Sequence, residues 1–131
     1  MSEDNVDVVR SSYEAFGRGD FGAVMETIHP EIEWTDPETL PWGGTHRGHE
    51  AFGAHMQDFA GHFDEVAIEP ERFLDAGDTV VVLGAFSGRG KGGGEFRVPA
   101  AYVWELSDGK ARRVTAYTDT AAVLAALQRS G

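Results

Sequence analysis

The chain has 131 residues, of which 11 are basic and 22 acidic, giving a formal net charge of −11, and it is 41% hydrophobic and 25% charged. These values predict a single domain, residues 1–131, around one sizeable core, and they disfavour disorder, a membrane span and a nucleic-acid binder, because an acidic surface with scattered cations repels phosphate backbones. The absence of cysteine excludes disulfides, thiol catalysis and cysteine-based metal sites. The polar, acidic start, Met1 to Asp7, has neither the basic nor the apolar region of a secretory signal, so the expected location is cytoplasmic.

Val6, Val9, Tyr13 and Phe16 recur at three- and four-residue steps, which predicts a first helix with one apolar stripe, ended by Gly17 and Gly19. A second short helix is expected after Asp20 as cap, burying Phe21, Val24, Met25 and Ile28, with His29-Pro30 as its stop. Ile32, Trp34 and Asp36 then alternate with Glu33 and Thr35, the pattern of a half-buried strand whose inner face ends in a carboxylate. Turn formers from Pro37 to Gly48 read as a loop. A third helix follows, with Phe52, His55, Met56, Phe59 and Phe63 on one side. Val66 to Phe73, Thr79 to Ser87, Glu95 to Leu106 and Ala111 to Thr118 read as a meander of four strands, and Ala121 to Gln128 as a closing helix capped by Asp119 or Thr120. Helices first and antiparallel strands last imply an α+β domain with one sheet curled over the helices.

Three features invite a functional reading. The run Gly88 to Gly94 contains the spacing of a dinucleotide fingerprint, but Glu95, Phe96, Arg97 and Val98 after it form a strand, where that fingerprint needs a helix N-terminus. It reads as a mobile hairpin tip. The five histidines include His55 and His62, two helical turns apart, and His46 and His49 in or beside the preceding loop; no tight ligand spacing is present, so neither a metal nor a cofactor is expected. His55 stands out because it shares a helix face with Phe52 and Phe59. The third feature is aromatic: Tyr102 and Trp104 share one face of a strand, Trp34 and Asp36 one face of another. A pocket holding a carboxylate and a phenol among apolar walls suits acid–base chemistry.

Several segments in order, Val9 to Asp20, Ile28 to Pro37, Arg47-Gly48, Asp75 to Asp78, Val103 to Lys110 and Tyr117-Thr118-Asp119, resemble the SnoaL-like branch of the nuclear-transport-factor-2-like (NTF2-like) superfamily. The resemblance implies a cone-shaped, mostly antiparallel curved sheet wrapped around three N-terminal helices, the cystatin-like α+β barrel, with an internal pocket and commonly a homodimer packed through the outer face of the sheet. It also implies candidate chemistry. Asp36, in Trp34-Thr35-Asp36-Pro37, falls where ketosteroid isomerases carry their general base, counted from the Gly19-Asp20 that opens the second helix. Their first-helix tyrosine falls on Ser12, beside Tyr13, and their oxyanion-binding aspartate falls on Tyr102 if the following turn differs by one residue. Asp119 is the counterpart of the catalytic aspartate of SnoaL-type polyketide cyclases, although it also reads as a helix cap. An epoxide-hydrolase Asp-Arg-Asp arrangement does not assemble, since alternation turns Arg97 away from Val98 and Tyr102.

The resulting expectation is a small cofactor-independent enzyme that takes a proton from carbon next to a carbonyl in an apolar cyclic substrate. Asp36 would be the base, its pKa raised by apolar walls. Tyr102, with His55, would stabilise the enolate, Asp119 would be the alternative carboxylate, and Phe16, Trp34, Met56, Phe59 and Trp104 would form the walls. The other reading is a non-catalytic small-molecule-binding or dimerisation module of the same fold. The two separate on whether Asp36 is paired to a cation such as Arg47 across a filled core or is buried beside a cavity.

Overall fold

The computed structural model describes residues 2–128. Helices α1 (Ser2–Gly17) and α2 (Phe21–Glu26) precede strands β1 (Ile28–Asp36) and β2 (Gly44–Arg47); helix α3 (Gly48–Gly61) leads into β3 (Phe63–Ala76), β4 (Thr79–Gly90), β5 (Glu95–Ser107) and β6 (Lys110–Thr118), and α4 (Thr120–Gln128) follows. The strands form one sheet in the order β2-β1-β6-β5-β4-β3. Every pairing is antiparallel except β1 with β6. Because β2 and β3 remain edges, the sheet curls into an open cone and does not close into a barrel. Helices α1 and α3 pack inside it, α1 against β3 and β4 and α3 against β1 and β2.

Local chemistry accounts for most of the element boundaries. The α1 stripe buries Val9 completely, and Gly19, at φ 73°, turns the chain where a side chain would be strained. Asp20 caps α2 by accepting from the Ala23 N–H at 3.1 Å. The β5–β6 hairpin turns through Asp108 (φ 55°) and Gly109 (φ 74°), the left-handed pair that a two-residue hairpin needs. The glycine-rich tip is a hydrogen-bonded turn: the Gly90 N–H donates to the Gly94 carbonyl and the Gly93 N–H to the Gly90 carbonyl, both at 2.9 Å.

Three boundaries differ from the sequence expectation. Ile28 belongs to β1, because pairing opposite Ala111 buries it to 1% exposure and α2 already ends at Glu26. The segment expected to be loop contains β2, four residues paired with the outer end of β1. Phe63 starts β3 and is not part of the α3 face.

The join between β1 and β6 is reinforced from both sides. The Ala111 N–H donates to the Thr27 carbonyl at 2.8 Å, Lys110 Nζ to the Glu26 carbonyl at 2.6 Å, and Arg112 Nη1 to the Glu31 carbonyl at 2.6 Å. One buried cluster runs through the described residues, from Val9 and Val24 through Phe52, Val82 and Trp104 to Val123. Each large side chain so buried contributes roughly 1.5–3 kcal/mol. Among the described residues no helix is long and apolar enough to cross a membrane.

Candidate active site

Strand alternation brings one set of side chains into the cone. On β1 it aims Trp34 and Asp36 inward, on β5 Tyr102 and Trp104, and on β6 Ala116 and Thr118; α1 adds Ser12, Tyr13 and Phe16, and α3 adds Phe52, His55, Met56 and Phe59. Leu40 and Trp42, from the segment between β1 and β2, complete the wall. The enclosed volume is about 60 Å³, within an envelope of about 670 Å³ that includes the mouth open to solvent. The lining is overwhelmingly apolar.

Asp36 is 9% exposed and held from two directions. Its Oδ2 accepts from Trp34 Nε1 at 3.0 Å and lies 2.8 Å from His55 Nε2. Nε2 is thus the ring nitrogen that donates to the carboxylate, and Nδ1 faces the other way. Nδ1 is the one fully enclosed side-chain polar atom without a partner among the described residues. The His55 ring stacks on His46 with centroids 4.0 Å apart and planes 20° apart, and His46 Nε2 is in turn 3.2 Å from the Trp42 carbonyl. Both donors therefore converge on Oδ2. The other oxygen, Oδ1, has no hydrogen-bond partner among the described residues and is not sealed off, so it borders open space.

The phenols are the complementary groups. Burial pushes the Tyr102 hydroxyl well above the usual phenol pKa, and the nearby Asp36 charge raises it further. Tyr13 is raised well above its ordinary value by burial and by Tyr102, partly offset by the hydrogen bond that Trp104 Nε1 donates to its hydroxyl at 3.0 Å. At neutral pH both are protonated. Tyr13 is engaged by Trp104, whereas Tyr102 packs edge-on against Tyr13 with ring centroids 5.9 Å apart and its hydroxyl has no hydrogen-bond partner among the described residues. Its O–H is available to a ligand.

Of the residues singled out in the sequence, Asp36, Tyr102, Phe16, Trp34, His55, Met56, Phe59 and Trp104 all line the cavity. Asp119 does not. It is exposed and accepts from the Ala122 N–H at 3.1 Å, so it caps α4; Thr118 points into the cavity and the next residue must point away. Ser12 does reach the cavity, but its hydroxyl is 3.0 Å from Thr27 Oγ1. Arg47 pairs with Glu33 at 3.5 Å and takes no part in holding Asp36. Arg97 is exposed beside Glu69 and Glu71. Among the described residues no group of three or more histidines and carboxylates is arranged to hold a metal ion.

The sequence reading did not assign Leu40, Trp42, Ile68, Phe86, Ala116 or Thr118 to the lining, and Trp42 is the largest of them. It is 2% exposed and packs against Phe59, Phe63 and the His62 ring. Its signal was Leu40 and Trp42, two large apolar residues in a segment otherwise made of turn formers.

Comparison with known proteins gives a consistent picture. Residues 9–114 match the family model for the SnoaL-like domain. No curated protein matches significantly. Among solved structures, an NTF2-like protein of unknown function from Burkholderia pseudomallei K96243 is 31% identical, with a TM-score of 0.92 over 98% of this chain and 99% of that one. TerC, crystallised with polyporic acid, is 26% identical, with a TM-score of 0.89 over 95% of this chain and 98% of that one. A candidate SnoaL-like polyketide cyclase from Jannaschia sp. CCS1 shares the fold at 22% identity, with a TM-score of 0.87 over 100% of this chain and 96% of that one.

Proposed function

The chain belongs to the SnoaL-like domain family, and from that premise we propose that it is a cofactor-independent enzyme that moves a proton on carbon next to a carbonyl in a small apolar, cyclic substrate. One observation carries the reading. In a cavity walled by aromatic side chains, the polar atoms left without protein partners and not sealed off, as His55 Nδ1 is, are a carboxylate oxygen, Asp36 Oδ1, and a protonated phenol, Tyr102. A base and an oxyanion donor are what enolisation requires.

In this mechanism Asp36 Oδ1 takes the proton as the C–H bond breaks. The electron pair becomes the enolate double bond and charge collects on the carbonyl oxygen, where the Tyr102 O–H stabilises it. Returning the proton to a different carbon isomerises the substrate; attack of the enolate carbon on a second carbonyl of the same molecule closes a ring as that C=O π bond breaks, and the new alkoxide takes the proton back from Asp36. Trp34 and His55 fix the carboxylate through Oδ2 so that Oδ1 keeps its aim, a positioning role. Dry walls strengthen both interactions. TerC with polyporic acid is an instance of this fold holding a small organic molecule.

The test is a thermal-shift screen of cyclic and polycyclic ketones, followed by NMR measurement of α-proton exchange in heavy water for those that bind. Exchange above the buffer rate that disappears in Asp36→Asn, with binding retained, supports the enzyme. Ketones that bind without accelerated exchange would move the protein to the binding-module reading.

A homodimer through the outer sheet face is part of the same proposal. The outward row Leu74, Val81, Val103 and Thr115 crosses four adjacent strands and is largely apolar, with Leu74 38% exposed. Sedimentation should give twice the chain mass, and Val103→Lys should return the monomer. A wild-type monomer at high micromolar concentration would remove this element.

A further inference from the structure

The cavity around Asp36 has about 60 Å³ of enclosed space, whereas sites for small organic ligands run to roughly 300–1,000 Å³. Space of the missing size lies directly outside. Between α2 and α3 is an apolar groove of about 340 Å³, and three residues, Val24, Phe52 and Met56, line both the groove and the cavity. They form a wall one side chain thick. Val24 and Phe52 are buried at 4% and 1% exposure, so the movable part is Met56, half-buried, unbranched and next in sequence to His55. The groove floor is Gly53, where an added Cβ would meet nothing within 4 Å. Phe21, 48% exposed, stands at its rim. Helix α2 packs on α1 and β1 but scarcely on α3.

We propose that the α2–α3 groove is a second ligand subsite, continuous with the cavity when Met56 swings aside. The reacting end of the ligand lies at Asp36 and Tyr102, and an uncharged extension, an alkyl chain or a further ring, lies over Gly53 between Phe21 and Met25. The occupant is uncharged because no charged side chain lines the groove, Gln57 being its one polar side chain. The subsite rests on the cavity as a ligand site and not on proton transfer. It makes Met56 and Gly53 the residues that set how long a ligand the protein takes.

Calorimetric titration with phenol and with 4-hexylphenol tests it. Each methylene buried in the groove should tighten binding about fourfold. The hexyl compound should therefore bind wild-type protein at least tenfold tighter than phenol. Gly53→Leu fills the groove from the outside without touching the cavity, and it replaces the poorer helix former, so its thermal midpoint should not fall. In that variant the hexyl advantage should shrink to less than threefold while phenol affinity stays within twofold of wild type. Met56→Ala, which opens the wall, should keep or increase the advantage. An unchanged hexyl advantage in Gly53→Leu, with phenol still bound, overturns the subsite and leaves the proton-transfer site standing. Failure of both compounds to bind wild-type protein overturns the two together. A Gly53→Leu chain that changes sedimenting mass and not the binding ratio assigns the groove to a second copy, which also overturns the proposal.

Discussion

Asp36 and Asp119 stand at the ends of neighbouring parallel strands, β1 and β6, and their surroundings are opposite. Asp36 is the last residue of β1 on its inward face, met by the indole N–H of Trp34 and the imidazole of His55. Asp119 follows Thr118, which already occupies the inward direction, so its carboxylate turns to solvent and accepts from the Ala122 N–H in the first turn of α4. Two residues of one chemical type, at matching strand ends, become a buried acceptor and a surface cap through strand parity and the element that follows. The lesson is that a carboxylate's position along a strand does not identify a site until its face is known.

That contrast can be broken at either end. The largest effect is expected from Asp36→Asn, which keeps the shape but loses the base. Ketone α-proton exchange should fall by roughly 10²–10⁴-fold, while Asp119→Asn should leave exchange within twofold; the reverse pattern would exchange the two roles. His55→Phe comes next. It keeps an aromatic ring against His46 but removes one donor from Oδ2, a charge-assisted bond worth about 1.5–3 kcal/mol. The expected result is a drop in exchange rate of about tenfold or more with the affinity for bound ketones nearly unchanged; a loss confined to affinity would make His55 a wall and not a positioning residue.

Stability should sharpen the comparison from the other side. Asp119→Ala removes the cap of α4 and should cost about 1 kcal/mol in chemical denaturation, with no effect on exchange.

The last expected effect is a pH dependence. Tyr13 and Tyr102 are both raised on folding above the ordinary value of 10.0, so the folded state holds their protons more tightly than the unfolded chain does. Their contribution is fully present below about pH 10 and is lost as pH climbs from there toward the raised values. Denaturant midpoints should be insensitive to these two groups from pH 7 to 9 and fall above pH 10. Tyr102→Phe should blunt the fall, and an undiminished slope in that variant would mean that Tyr102 is not the buried group responsible.

Much of this molecule was legible in the sequence because its periodicities are clean. Val9, Tyr13 and Phe16 announce α1, and the alternation through Trp34 and Asp36 fixes which face of β1 holds the carboxylate. The β3–β6 meander follows from strand runs separated by turn formers at Gly77-Asp78, Gly90 to Gly94 and Asp108-Gly109. What was hidden has physical reasons. β2 is too short for a period and is made by pairing with β1, not by propensity. Ile28 reads equally as the last apolar residue of a helix or the first of a strand, and only its partner Ala111, far along the chain, decides. Trp42 is buried from a turn-rich segment without regular spacing. At the site, the expectation that apolar walls alone define Asp36 missed that its Oδ2 is gripped by a neighbour on its own strand and by a histidine on α3. That is a tertiary fact, and no spacing encodes it.

The parallel pairing of β1 with β6 also determines when the site can exist. Asp36 reaches its working surroundings only after β6, Lys110–Thr118, slots between β1 and β5, because no other strand joins β1 to the rest of the sheet. During synthesis the β3–β5 meander can pair as it leaves the ribosome, but β1 and its β2 partner must wait for the last strand. Such long-range closure makes folding slow relative to locally connected domains. Until it happens, the aromatic residues of the cone are an unsealed apolar surface. The strand that completes the cavity therefore also ends the interval in which the nascent chain is open to aggregation and a chaperone has an apolar surface to protect.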